Sequence, residues 1–147
     1  MAGSEPTGER TGRPSSTRSK ARKRALDILF EAELRDNDTL ATLEVRSADA
    51  DPPVREYTTD LVTGVVAHRA EIDARISACL SPGWTLERLP RVDRNVLRIA
   101  VFEIDHAGVP APIAVTEAVQ LVSDLSTDES PAFVHGVLGT ITSTRVA

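Results

Sequence analysis

The apolar residues of this chain recur every three or four positions and show no sustained alternation at every second one. That period places them on one face of an α-helix, whereas a half-buried strand would alternate with a period of two. Ala25, Leu26, Leu29, Phe30 and Leu34 form the first such set, with Arg22, Lys23 and Asp27 elsewhere on the cylinder. Leu40, Leu43 and Val45 suggest a short helix between Asn37 and Asp51, ahead of a turn at Asp51-Pro52-Pro53. One long helix is expected between Val54 and Leu80, on a stripe of Leu61, Val65, Ile72, Ile76 and Cys79 that Ser81-Pro82-Gly83 ends. Thr85 is placed to cap a short turn carrying Leu86 and Leu89. Val92 to Ile104 is apolar on most sides, as a helix buried among others must be. Val109-Pro110-Ala111-Pro112 interrupts the pattern before Val115, Ala118, Val119, Val122 and Leu125. Ser130 as N-cap and Pro131 as first helical residue open a last helix with Phe133, Val134, Val137, Leu138 and Ile141. The expectation is an all-α fold of about six or seven helices.

Charge is distributed unevenly along that pattern. Residues 1–24 carry seven basic groups (Arg10, Arg13, Arg18, Lys20, Arg22, Lys23, Arg24) against Glu5 and Glu9, so a net charge of −5 overall leaves −10 on the rest. An acidic body repels polyanions unless a local cluster overcomes it, so the N-terminal end is where nucleic acid would bind. The first seventeen residues are Gly, Ser, Thr, Pro, Glu and Arg with little to bury, and read as a disordered extension ahead of a domain from residue 18 to 147. Cations on the first turns of a helix oppose the macrodipole at a few tenths of a kcal/mol each, a cost that an anionic partner would offset. Arg18 with Arg22, and Lys20 with Arg24, are four residues apart and would form two short rows. A solvated, solubilising arm is the equally weighted alternative from composition alone.

Catalytic chemistry is not expected. Glycine-rich phosphate loops and nucleophile elbows are missing, and Asp105-His106 are adjacent on a helix and point about 100° apart, which is no geometry for an acid–base dyad. One cysteine, Cys79, excludes an internal disulfide framework and fits a small buried hydrophobe. His68, His106 and His135 match no metal-ligand spacing, and His68 reads as a surface residue, so neither a metal nor a cofactor is expected. No apolar run approaches the roughly 18 residues of a membrane helix, and no signal peptide opens the chain, so a cytoplasmic, membrane-free protein is expected.

Three separated motifs carry a more specific signal. They are Asp93-Arg94-Asn95-Val96-Leu97-Arg98-Ile99-Ala100-Val101-Phe102-Glu103, then Val109-Pro110 with Ile113-Ala114-Val115-Thr116-Glu117-Ala118-Val119, then Ser130 with Phe133-Val134-His135-Gly136-Val137-Leu138. Their order and spacing resemble the NusB family of transcription antitermination factors, from about Lys20 to the C-terminus. The resemblance implies two packed helical bundles that bind the single-stranded boxA element of ribosomal RNA leader transcripts with the ribosomal protein NusE, within the RNA polymerase antitermination complex. It implies RNA contacts at Arg18, Lys20, Arg22, Lys23 and Arg24, and at Glu129, Ser130 and Phe133, where the Phe133 ring can meet an unstacked base. It implies a NusE contact at Asp93, whose carboxylate the dipole of its own helix also favours.

His135 and Gly139 stand where that family usually has asparagine and aspartate, and Ser123 and Leu125 where it has lysine and phenylalanine. The family contains monomers and homodimers, so a homodimer is open. Two other readings also remain: a helical protein–protein adaptor whose arm only solubilises, and a separate RNA-binding subunit of an RNA methyltransferase.

Overall fold

The computed structural model describes residues 16–49 and 53–144, and within them the chain is seven α-helices with no strand. Residues 1–15 of the expected extension, and Asp51 and Pro52 of the expected turn, lie outside the described residues. Ser16 and Thr17 are the N-cap and first residue of α1 (Thr17–Arg35), the Ser16 hydroxyl accepting from the Ser19 amide at 3.0 Å. That helix ends on Asp36 at φ 55°, a left-handed position that aspartate tolerates better than most residues. Leu34 departs from the expected stripe: it is exposed as the penultimate residue of the helix, and the buried face is Ala21, Ala25, Leu26, Ile28, Leu29 and Ala32.

Helix α2 (Thr39–Asp49) is short, and the Asp38 carboxylate receives the Ala41 amide at 3.0 Å. Of its apolar residues, Leu43 is buried while Leu40 and Val45 face solvent. The single long helix expected over 54–80 is two, α3 (Glu56–Ala67) and α4 (Arg69–Ser77), parted at His68. His68 adopts φ −111°, ψ 19° while its amide still bonds the Gly64 carbonyl. Neither proline nor glycine marks the break, and the buried set Leu61, Val62, Val65, Ile72 and Ile76 runs through it in unbroken register. The break re-aims the chain: α3 packs on α1 and α2, α4 on α5 (Arg91–His106) and α7 (Ser130–Ser143).

A 3₁₀ turn at Leu86–Arg88 follows, both Leu86 and Leu89 buried, with Thr85 at the N-cap but no side-chain capping bond. Gly83, at φ 88°, makes the turn before it. Helix α5 is the hub, touching α1, α3, α4, α6 (Ala111–Leu125) and α7. Helices α1–α3 form one bundle and α4–α7 the other, with α5 packed against both α1 and α3. One core of Leu26, Ile28, Leu61, Ile76, Leu97, Val101, Leu138 and Ile141 unites them. Among the described residues no helix is long and apolar enough to cross a membrane.

Although α5 reads as apolar on most sides, Asp93, Arg94, Asn95, Arg98 and Glu103 are buried on it as well. Buried charge is tolerated only when paired and fully hydrogen-bonded, and each of these has partners. Arg94 forks onto Glu33 at the end of α1 (2.9 and 2.8 Å) and donates to the Leu86 and Leu89 carbonyls. Arg98 forks onto Asp73 of α4 at 2.8 and 3.2 Å and also reaches Glu33. The Arg-x-x-x-Arg of the first motif therefore clamps α1, α4 and the 3₁₀ turn onto the hub.

Burial alone would push the Glu33 carboxyl up, but the hydrogen bond and charge of Arg94, with the charge of Arg98, hold it below its ordinary value. A carboxylate depressed on folding stabilises the native state above its unfolded pKa of about 4.3 and loses that contribution as pH falls through the folded value. Urea midpoints should accordingly fall as pH drops from about 5 toward 3, and Glu33→Gln should flatten that fall. An equally steep acid limb in the variant would remove Glu33 from this role.

Candidate nucleic-acid interface

The two basic rows of α1 have different fates. Arg18 and Arg22 lean inward over the Tyr57 ring, their guanidinium carbons 4.2 and 5.8 Å from its centroid. Arg22 is only 4% exposed, not on an outer face as its position in the apolar pattern suggests. Its Nε donates to both oxygens of Glu103 at 3.0 and 2.9 Å, and its Nη1 lies 3.6 Å from Glu117. Glu103 also accepts from the Tyr57 hydroxyl. Burial, followed by that bond to Glu103, pushes the Tyr57 hydroxyl up to about 12, so it stays a donor at neutral pH. Burial would lower Arg22, yet the Glu103 bond and charge outweigh it and raise the guanidinium above its ordinary value. Arg22 is thus a permanently charged internal strut joining α1, α3, α5 and α6.

Lys20, Lys23 and Arg24 point the other way and line a surface groove with Arg55, the N-cap residue of α3. Asp27 is the one carboxylate in that lining, paired with Lys23 at 3.0 Å across one turn, a contact worth only a few tenths of a kcal/mol at such exposure. Arg55 was missed by sequence reading because it stands far from the cluster along the chain; only the packing of α3 on α1 brings it there.

The second set of expected residues gathers at the other end of α5. Asp93, Glu129, Ser130 and Phe133 line one groove with Trp84, Leu89, Pro90 and Thr127. Ser130 is 1% exposed and is not an N-cap: Glu129 holds that position, and the Ser130 hydroxyl donates to Asp93 Oδ2 at 2.8 Å. Asp93, 2% exposed, also accepts from the Ser126 hydroxyl at 2.6 Å, so its carboxylate fixes the turn between α6 and α7. Glu129 is exposed. Phe133 is half-buried against the core, its ring 6.5 Å from that of Trp84. Trp84, 48% exposed with Arg88 stacked over it at 5.3 Å, is a large apolar surface that the apolar period did not single out. A lone tryptophan outside any helix carries no periodic signal.

The structure therefore collects the expected residues into two places, not one. Glu103, which holds the basic end, and Asp93, which holds the aromatic groove, are ten positions apart on α5, about 15 Å along its axis. Ser123 and Leu125 are exposed on α6 and His135 on α7, and none of them lines either groove.

Comparison with known proteins agrees with this architecture. The NusB family model matches residues 19–143. The transcription antitermination protein NusB of Nocardioides sp. is 54% identical over 127 residues, 86% of this chain and 93% of the relative. That of Acidothermus cellulolyticus is 55% identical over 125 residues, 84% of this chain and 86% of the relative. Among solved structures, NusB of T. maritima superposes with a TM-score of 0.79 at 29% identity, covering 90% of this chain and 94% of that one. A chain from a crystal structure of NusB and NusE in complex with dsRNA gives 0.74 at 30% identity, covering 87% and 97%. The chain belongs to the NusB family.

Proposed function

We propose that this protein is a transcription antitermination factor that binds the boxA RNA of ribosomal RNA leader transcripts together with NusE, supporting processive transcription in the cytoplasm. The reading is non-catalytic: the chain grips and presents RNA. What carries it is the groove of Lys20, Lys23, Arg24 and Arg55, four cations beside one carboxylate on an otherwise acidic protein. Such a groove neutralises phosphates and releases their counterions. Arg18, exposed over Tyr57, lies on the other row of α1 and outside that groove. Arg22 serves by holding α1 in place through Glu103 rather than by meeting a phosphate.

Base contact falls to the second groove, where Phe133 and Trp84 offer two ring faces and Glu129 a carboxylate acceptor for an exocyclic amine. Ser130 and Asp93 support that groove from below, and Asp93 shapes the neighbouring NusE surface by fixing the α6–α7 turn.

Titration of single-stranded boxA RNA against wild type and Trp84→Ala tests the arrangement. A stacked base is worth about 1–3 kcal/mol, so the variant should bind roughly 5- to 150-fold more weakly. Unchanged affinity would remove Trp84 from the interface, and failure of the wild-type protein to bind RNA would contradict the functional reading itself. The adaptor alternative predicts no response to any substitution in either groove.

A further inference from the structure

At the junction of α3, α4 and α5, three metal-ligating side chains that line neither groove converge. His68 ends α3 and precedes α4, Glu71 lies in the first turn of α4, and His106 is the last residue of α5. His68 Nδ1 is 3.1 Å and His106 Nε2 3.8 Å from the same oxygen, Glu71 Oε1, and all three ligand atoms lie within 4.8 Å of one another. We propose that His68, Glu71 and His106 form a binding site for a divalent transition ion of the zinc class.

The distances suit the ion. Bonds of about 2.0–2.2 Å in a tetrahedral field place neighbouring donors about 3.3–3.5 Å apart, so the donor atoms need to shift by only about 1 Å, together with a rotation of the imidazole rings. The two imidazoles stack at 3.8 Å with 15° between their planes, and binding would tilt them so that both lone pairs aim at one point. Two neutral imidazoles and a carboxylate leave a fourth position open to water. That donor set selects zinc, cobalt or nickel over calcium and magnesium, which take oxygen ligands.

Local helix chemistry does not account for the cluster. A carboxylate three residues after a helix-start histidine is an ordinary contact, but it gives no reason for His106, from another helix, to approach the same oxygen. The neighbouring acids are committed elsewhere: Asp105 to Arg75 at 2.9 Å, and Asp73 to Arg69 and Arg98. Among the described residues, Glu71 pairs with the two histidines alone.

The imidazoles also have a built support. The Phe102 ring lies 6.1 Å from His68 and 6.0 Å from His106, and it sits where a Cβ on Gly64 would come within 2.2–2.8 Å of its atoms. Gly64 thus leaves the space that Phe102 fills, and Phe102 backs both ligands. Sequence spacing could not show this, because the two histidines meet only through the packing of α3 and α4 on α5.

Calorimetric titration of Zn²⁺ into the purified full chain, repeated with Co²⁺ and read by visible absorption, tests the proposal. One ion per chain is expected, with His106→Ala and Glu71→Gln each weakening binding by at least about tenfold and His135→Ala leaving it unchanged. Glu71 is exposed, so its variant keeps the test informative should the His106 variant unfold. Absence of one-site binding, or affinity in both ligand variants unchanged from wild type, overturns the site. RNA affinity is a separate readout, so failure here leaves the antitermination reading standing.

Discussion

Replacing Glu103 with alanine will cost about 3–5 kcal/mol of folding stability, the largest loss expected from any single substitution in the charged networks. Glu103 is 1% exposed and neutralises Arg22, itself 4% exposed, while accepting from Tyr57. Its removal strands a guanidinium that cannot shed its proton, with only Glu117 at 3.6 Å in partial compensation. The cost belongs to the orphaned charge more than to the lost pair. The double variant Arg22→Met, Glu103→Leu should therefore recover most of the loss, since apolar replacement of a buried pair is often neutral. Urea denaturation of Arg22→Met, Glu103→Leu and their double gives the coupling directly. A Glu103→Ala loss below about 1 kcal/mol would mean that water reaches Arg22 and that the strut is not a strut.

Changing Lys20, Lys23 and Arg24 together to alanine will flatten the salt dependence of RNA binding. With about 0.7 counterions released per phosphate contact on a single strand, four contacts from Lys20, Lys23, Arg24 and Arg55 give a slope of log K on log salt near −3. The triple variant should retain a slope near −1. Between 50 and 200 mM salt the wild type would then lose roughly fiftyfold in affinity and the variant only a few-fold. Arg22→Met, in contrast, should alter stability and leave the slope nearly unchanged, because Arg22 faces Glu103 and not solvent. A slope that falls equally in both would place Arg22 on RNA and contradict the division of the two rows. All three residues of the triple variant are at least partly exposed, and only Lys23 has an ion-pair partner among the described residues, so folding is little disturbed.

Helix positions were legible in the sequence because each helix buries one stripe, and a stripe repeating every three or four residues has one reading. The break at His68 was not, since the stripe continues through it and what ends α3 is the packing of α4 on α5 and α7, a tertiary choice. Charge in sequence says nothing of burial: Arg22 and Lys23 are neighbours with one composition signal, yet one is internal and the other lines a groove. The difference is Glu103, on a helix formed by residues far along the chain. Ser130 shows the same limit, where a residue suited to N-capping instead gives its hydroxyl to Asp93. Arg55 and Trp84 enter the grooves through tertiary placement alone, whereas Phe133, Glu129 and Asp93 are implied by the family resemblance and do line one groove together.

The most direct measurement is binding of the purified chain to boxA RNA and to a scrambled RNA of the same length, with and without NusE, at one fixed salt concentration. The account predicts that boxA binds more tightly than the scrambled strand and that NusE widens the difference. Equal binding of both RNAs, unaffected by NusE, would contradict it and leave only a basic groove that takes any polyanion.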